Sequence, residues 1–200
     1  MKRRATLIGL GSLLLLTLLA ACGSKKAPDI RYYSLTSATP SSELPAADTF
    51  PTRVGVGPVS LPQLLKRPHL VTRSEDFRVL HAEFDRWSGD LQEEVGQVLA
   101  DNLAGQFGAD NVVLFHLGKL VTPEWQLIVE IVRREGELGR AAYLEARWSL
   151  TNERKKVALS GAAQYREKLA DSSYTALVAA QNLLLQNFSR EIVEKIRRHN

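Results

Sequence analysis

One side chain in this 200-residue sequence stands in a setting that specifies its chemistry. Cys22, the chain's single cysteine, follows Leu19-Ala20-Ala21. A thiol preceded by small residues, with an apolar residue three places back, is the arrangement needed for alkylation by diacylglycerol and cleavage just before the cysteine. The other candidates carry less. His81 and Glu83 share one face of a predicted strand, the spacing of a metal or acid–base pair, but polar alternation on a solvated strand gives that spacing constantly. Glu93-Glu94 reads as exposed helix surface. His69, His116 and His199 are scattered, and there is no His-Glu-x-x-His, no phosphate-cradling glycine loop and no nucleophile elbow. Asn187-Phe188-Ser189 matches a glycosylation acceptor but falls inside a helical pattern. A lone cysteine excludes an intramolecular disulfide framework and a multi-cysteine metal site. The sequence offers no nucleophile–base pair for a hydrolase, so the expectation is a non-enzyme with no catalytic residue, no metal and no cofactor apart from lipid on Cys22.

The residues before Cys22 fit that chemistry. Lys2-Arg3-Arg4 precedes an apolar run from Leu7 to Leu19, the charged and hydrophobic regions of a cleaved signal peptide. Even counted from Ala5 to Cys22, the stretch sits at the low edge of what crosses a bilayer, and Gly9, Gly11 and Ser12 dilute it. Leu19, Ala20, Ala21 and Cys22 are similar to a bacterial lipobox. The mature protein is then expected to carry diacylglycerol and a palmitate-type acyl chain, and two or more chains anchor durably where one does not. Gly23 and Ser24 follow the cysteine without the aspartate associated with inner-membrane retention, which points to the periplasmic face of the outer membrane.

Charge argues against nucleic acid. Lys2, Arg3 and Arg4 account for three of the 26 Lys+Arg residues, leaving 23 against 22 acids from Cys22 onward. A body so nearly neutral lacks the field that draws a protein to phosphate backbone. With 44% hydrophobic and 24% charged residues, the composition is that of an ordinary globular domain.

The patterning divides the chain into a signal peptide (1–21), a lipidated N-terminus with a flexible tether (22–52) and a periplasmic domain (53–200). Prolines 28, 40, 45 and 51 mark the tether. Within it, Tyr32, Tyr33 and Leu35 form a strand-like patch that either edges the domain, the favoured reading, or pairs with a partner. Strands are predicted from Val54 to Val59, Leu70 to Arg73, Phe77 to Trp87 and Val112 to Phe115. Three alternating runs follow: Trp125 to Ile131, Ala142 to Leu150 and Val157 to Tyr165, broken at Glu135-Gly136-Glu137 and Asn152-Glu153-Arg154. Ser88 or Asp90 can cap a helix striped by Leu91, Val95, Val98, Leu99, Asn102, Leu103 and Phe107, which Gly108 closes. A second helix, Ser172 to Arg198, carries the stripe Tyr174, Leu177, Val178, Gln181, Leu184, Leu185, Phe188, Val193 and Ile196. The expected fold is α+β: a two-layer sandwich with a mainly antiparallel sheet and two amphipathic helices on one face.

Read together, Tyr32-Tyr33-x-Leu35, Val54-Gly-Val-Gly-Pro-Val-Ser-Leu-Pro62, Lys66-Arg67-Pro68 with Val71-Thr72-Arg73, and Phe84-Asp85-Arg86-Trp87 ahead of Leu91 resemble the PqiC/YmbA-type family. These are auxiliary lipoproteins of ABC-type transport systems that carry MCE-domain proteins. Ser88-Gly89-Asp90 departs from the family pattern by delaying the helix start. The resemblance implies a non-enzymatic, outer-membrane component of intermembrane lipid transport that docks an MCE-domain protein and allows a homo-oligomer. Tyr33, Leu35, Leu64, Leu65 and Arg67 are the expected partner-binding residues. The loop holding the last three, Leu61 to Pro68, buries its leucines either in its own domain or against the partner. A regulator of a cell-wall synthase is the alternative. A tether of about 28 residues, Gly23 to Phe50, has a root-mean-square reach of about 30 Å. Fully extended it covers about 90–100 Å, which permits both. Since the apolar periodicity lies beyond Arg53, a chain starting there is expected to fold alone.

Overall fold

The computed structural model describes residues 28–37, 53–74, 76–115 and 123–199; Cys22 and the lipobox lie outside them. Eight strands and two helices follow in chain order: β1 (Arg31–Tyr33), β2 (Val54–Ser60), β3 (His69–Arg73), β4 (Val79–Trp87), α1 (Leu91–Phe107), β5 (Val112–Leu114), β6 (Trp125–Glu137), β7 (Ala141–Asn152), β8 (Val157–Lys168) and α2 (Tyr174–His199).

The long strand β6 organises the sheet. One of its edges pairs antiparallel with β7 along its length, and β7 pairs antiparallel with β8. Its other edge is divided: residues 125–130 pair parallel with β2, while Gly136 pairs parallel with Thr72 of β3. β2 continues in parallel to β5, and β3 continues to β4 and then to β1, which runs parallel to β4. The sheet is therefore mixed, curling into a half-barrel, and not mainly antiparallel as the meander alone implied. The reason is physical: period-two alternation reports which face a strand buries, not the direction of its neighbour.

Both helices lie on one face, as expected. α1 covers β2 and β5, α2 covers β7 and β8, and the helices touch each other. Their predicted stripes are the buried ones; Tyr174 alone is half-buried. Asn102 and Ser189 bridge the helices with a 3.2 Å hydrogen bond inside the core. At the start of α1 Asp90 accepts from the N–H groups of Gln92 and Glu93 at 2.8 and 3.1 Å, satisfying two of the end's unpaired donors.

Three local departures matter for the site. A bulge between Ile131 and Arg133 shifts the alternation, so Arg134 and Glu135 are buried and β6 runs through Glu137 rather than breaking at Glu135. Gly136 is required there, because a Cβ would meet Leu177 Cδ1 at 2.3 Å. The β3–β4 turn extends through Arg78, past the expected Ser74–Asp76, and holds Phe77 at φ 65°, a left-handed conformation costing a non-glycine residue about 1–2 kcal/mol. Finally, Arg31–Leu35 belongs to the packed body, so the stretch assigned to the 22–52 tether contains an integral edge strand.

Candidate functional site

Several sequence features meet at one corner of the half-barrel. β1 is only three residues long and pairs on one side alone, with β4, so side chains complete the attachment. Arg31 donates from Nε and Nη2 to the two carboxylate oxygens of Asp85, each at 2.7 Å, and the Tyr33 hydroxyl donates to the same carboxylate at 2.8 Å. Asp85 is buried, so the three groups form a charge-assisted staple. That bond holds the Arg31 guanidinium above its ordinary pKa, and burial, followed by the bond to Asp85, raises the Tyr33 phenol. Farther along, the Leu35 N–H donates to Glu94 Oε2 at 2.9 Å while its side chain is buried. Thr36 exchanges hydrogen bonds with Asn182 of α2 at 3.2 and 3.0 Å.

The end of β4 is tied into the same corner. Trp87 N–H donates to the Pro68 carbonyl at 2.6 Å and Ser88 N–H to the Tyr33 carbonyl at 2.7 Å. Ser88 Oγ donates to Glu94 Oε1 at 3.2 Å. Glu94 is thus no free surface carboxylate, as its place on the helix suggested, but a junction between β1, the β4–α1 connection and α1. Its neighbour Glu93 keeps the expected exposure.

Below this junction sits a buried charge. Arg134 stacks on the Trp87 ring with Cζ 4.8 Å from the centroid, and its Nη2 has no hydrogen-bond partner. Burial pulls its pKa down to about 9, against the opposing pull of Glu94, so the group stays charged at neutral pH. The sign follows: the burial penalty applies throughout acid and neutral pH and is relieved only as pH rises through about 9. Replacing a buried charge with an apolar side chain of similar length is often neutral or stabilising by about 1–4 kcal/mol. Arg134→Met should therefore melt at or above the parent, whereas Glu94→Ala, which strands the charge and the Leu35 N–H, should cost about 3 kcal/mol. Thermal melts of the two variants check both.

Beside the corner, Leu61, Leu65, Lys66, Arg67, Pro68 and the Gly89–Gln92 turn line a cleft of about 370 Å³. The expected partner-binding residues separate here. Leu65 is 3% exposed and Leu35 8%, both in the core, because the 3-10 turn Gln63–Leu65 folds the loop inward over β3. Tyr33 is spent on Asp85. Tyr33 and Leu64 are half-buried and Arg67 is exposed, so Leu64 and Arg67 are the two of the five that are neither in the core nor engaged in the staple. Trp87 is a core anchor, as its position suggested.

The weaker candidates stay weak. His81 and Glu83 are both exposed, and His81 makes an edge contact with His69 at 6.2 Å. Asn187 and Ser189 lie within α2, with Ser189 buried. Among the described residues no group of three or more His, Cys, Asp or Glu could hold a metal ion. None of their helices is long and apolar enough to cross a membrane. The sequence reading passed over Arg134, because the bulge hides its core-facing position, and over the staple, because no local pattern links Arg31 to Asp85.

Comparison with known proteins agrees with the motif order. Residues 33–193 match the family described as the ABC-type transport auxiliary lipoprotein component. No curated protein matches the chain. Among solved structures, an uncharacterized protein aligns at TM-score 0.69 and 17% identity, covering 84% of this chain and 99% of that one. Protein XCC0632 from Xanthomonas campestris aligns at TM-score 0.66 and 15% identity, covering 82% of this chain and 92% of its own. At these identities the structures speak to the fold.

Proposed function

The chain belongs to the PqiC/YmbA-type family of ABC-type transport auxiliary lipoproteins, and from that membership we propose that it is a non-enzymatic, outer-membrane component of an MCE-type lipid-transport system. It is acylated on Cys22, faces the periplasm and docks the MCE-domain protein that crosses that space. The extent of the family match carries the reading: it begins inside β1 and ends within α2, so the whole packed body is accounted for by the auxiliary component. Gly23 and Ser24 after the cysteine support the outer membrane.

Docking falls to the cleft at the corner. Arg67 lines it with Leu64 beside it in the same loop, and the buried Leu61, Leu65 and Leu91 fix its wall in the core, which lowers the ordering cost of association. A photo-crosslinker placed at Lys66 in cells should capture the MCE-domain protein. Arg67→Glu should reduce the adduct about tenfold, equivalent to about 1.4 kcal/mol, with a melting point near the parent's. An adduct with a cell-wall synthase instead would overturn the transport reading.

A further inference from the structure

We propose that the β3–β4 hairpin tip is a second membrane contact, inserting Phe77 into the bilayer that holds the lipid anchor. The proposal rests on the reading of Cys22 as the acylated residue. Two independent observations single out the tip. Phe77 is 84% exposed, and beside it Leu80 and Val79 are 44% and 37% exposed, an apolar group at the end of a hairpin. Phe77 also sits at φ 65°, where glycine or asparagine would be at ease. The turn around it is nevertheless firmly built. Ser74 N–H donates to the Arg78 carbonyl at 3.0 Å, Phe77 N–H to the Ser74 carbonyl at 3.1 Å, and Arg78 Nε pairs with Asp76 at 2.6 Å. From below, Arg73 grips the buried Glu135 at 2.6 and 3.0 Å and reaches the Phe77 carbonyl at 3.4 Å. A conformation unfavourable to phenylalanine is thus held in place to present an aromatic ring to the outside.

The chain's own geometry names what meets that ring. β1 runs parallel to β4 with Arg31 opposite Asp85, so the chain enters β1 from the side of Val79 and the tip. Asp85 to Val79 is six strand residues, about 20 Å. The nine peptide steps from Arg31 back to Cys22 span at most about 30–32 Å. An acylated Cys22 can therefore reach past the tip, and no orientation lets the body stand farther than that length from the bilayer. Exposed Ile30 and Tyr32 continue the apolar character along the same edge. The tip's exposed cations are matched by anions, Arg78 by Asp76 and Arg140 by Glu137, so contact comes from apolar insertion, not from attraction to anionic lipid. At the other end of β3 and β4 lies the cleft, which this orientation turns away from the membrane.

The test uses the full acylated chain purified from membranes and reconstituted in phosphatidylethanolamine–phosphatidylglycerol vesicles. Acylation occupies the only native thiol, so Phe77→Cys and, at the opposite end of the sheet, Lys156→Cys each offer one site for an environment-sensitive fluorophore. The expected result is a blue-shifted emission at position 77 and its loss when the lipids carry a shallow nitroxide quencher, with neither change at position 156. Phe77→Gly, which should melt higher than the parent, provides the check that the tip is not needed for folding. Vesicle-bound protein with equal, unquenched emission at both positions overturns the inference and leaves the anchor standing. A blue shift that follows protein concentration in detergent instead assigns the tip to a second copy and likewise overturns it. Protein that does not float with the vesicles overturns the anchor reading, and this proposal with it.

Discussion

Replacing Cys22 with alanine should release the whole population of the protein from the membrane fraction, and labelled fatty acid should disappear from it completely. The effect is all-or-none because acylation needs a thiol and the chain has no other. Each acyl methylene in the bilayer contributes about 0.8 kcal/mol, so losing two or more chains removes far more than an exposed phenylalanine tip can replace. Labelled fatty-acid incorporation and the mass of the mature N-terminus are the measurements. Persistent labelling of the variant would remove the lipoprotein assignment of this residue.

A chain beginning at Arg53 should be strongly destabilised, contrary to what the distribution of apolar periodicity led us to expect. It loses the buried Leu35, worth about 1.5–3 kcal/mol. The hydrogen bond from Leu35 N–H to the Glu94 carboxylate goes as well, a charged-acceptor bond worth about 1.5–3 kcal/mol. It also uncovers the outer edge of β4, which no other strand takes up among the described residues. Together these amount to about 3–6 kcal/mol, against a total stability of about 5–15 kcal/mol for a domain. For a body of this size the melting point should fall by about 6–24 °C. A chain beginning at Pro28 should melt like the mature protein; equal melting of the two truncations would return β1 to the tether.

The same strand changes how far the body can stand from its anchor. Read from composition, the tether ran from Gly23 to Phe50 and could extend about 90–100 Å. With β1 stapled by Asp85, only Gly23–Ile30 separates the cysteine from the sheet, and the nine peptide steps from Cys22 to Arg31 span at most about 30–32 Å. On the proposed function, the MCE-domain protein must reach a cleft on a body held within that length of the membrane, not one that ranges about 90–100 Å from it.

What the sequence made legible was whatever repeats locally. The β7–β8 alternation, that of β6 as far as Ile131, both helix stripes and Gly108 follow from spacing within a few residues, and of the two caps expected, Ser88 or Asp90, the structure uses Asp90. What it hid depends on distant pairs. Arg31 and Asp85 carry no mutual pattern, and the parallel neighbours of β6 could not be told from antiparallel ones by their alternation. Arg134 was masked by one extra residue in the bulge, which moved a charge onto the face that Leu127, Val129 and Ile131 had marked as apolar. In the docking loop, Leu64 and Leu65 are chemically identical, and only the turn's geometry decides that Leu65 enters the core. The run from Phe77 to Trp87 reads as one strand, yet Phe77 holds a left-handed turn position that opposes the strand propensity of an aromatic residue, and β4 begins at Val79.

The parallel pairing of β2 also sets a schedule. A chain delivered N-terminus first presents Val54 long before Trp125, its neighbour in the sheet. At about 5–20 residues per second, the interval is several seconds, whereas a hairpin such as β3–β4 closes in about 1–10 μs. The antiparallel β6–β7–β8 meander is the most local part of the sheet, yet it arrives last, and until it does β2 has only the short strand β5 and helix α1 to dock on. Through those seconds the edge of β2 that β6 will cover stays open, so the exposure of Val54, Val56 and Val59 to aggregation is expected to fall with the arrival of β6.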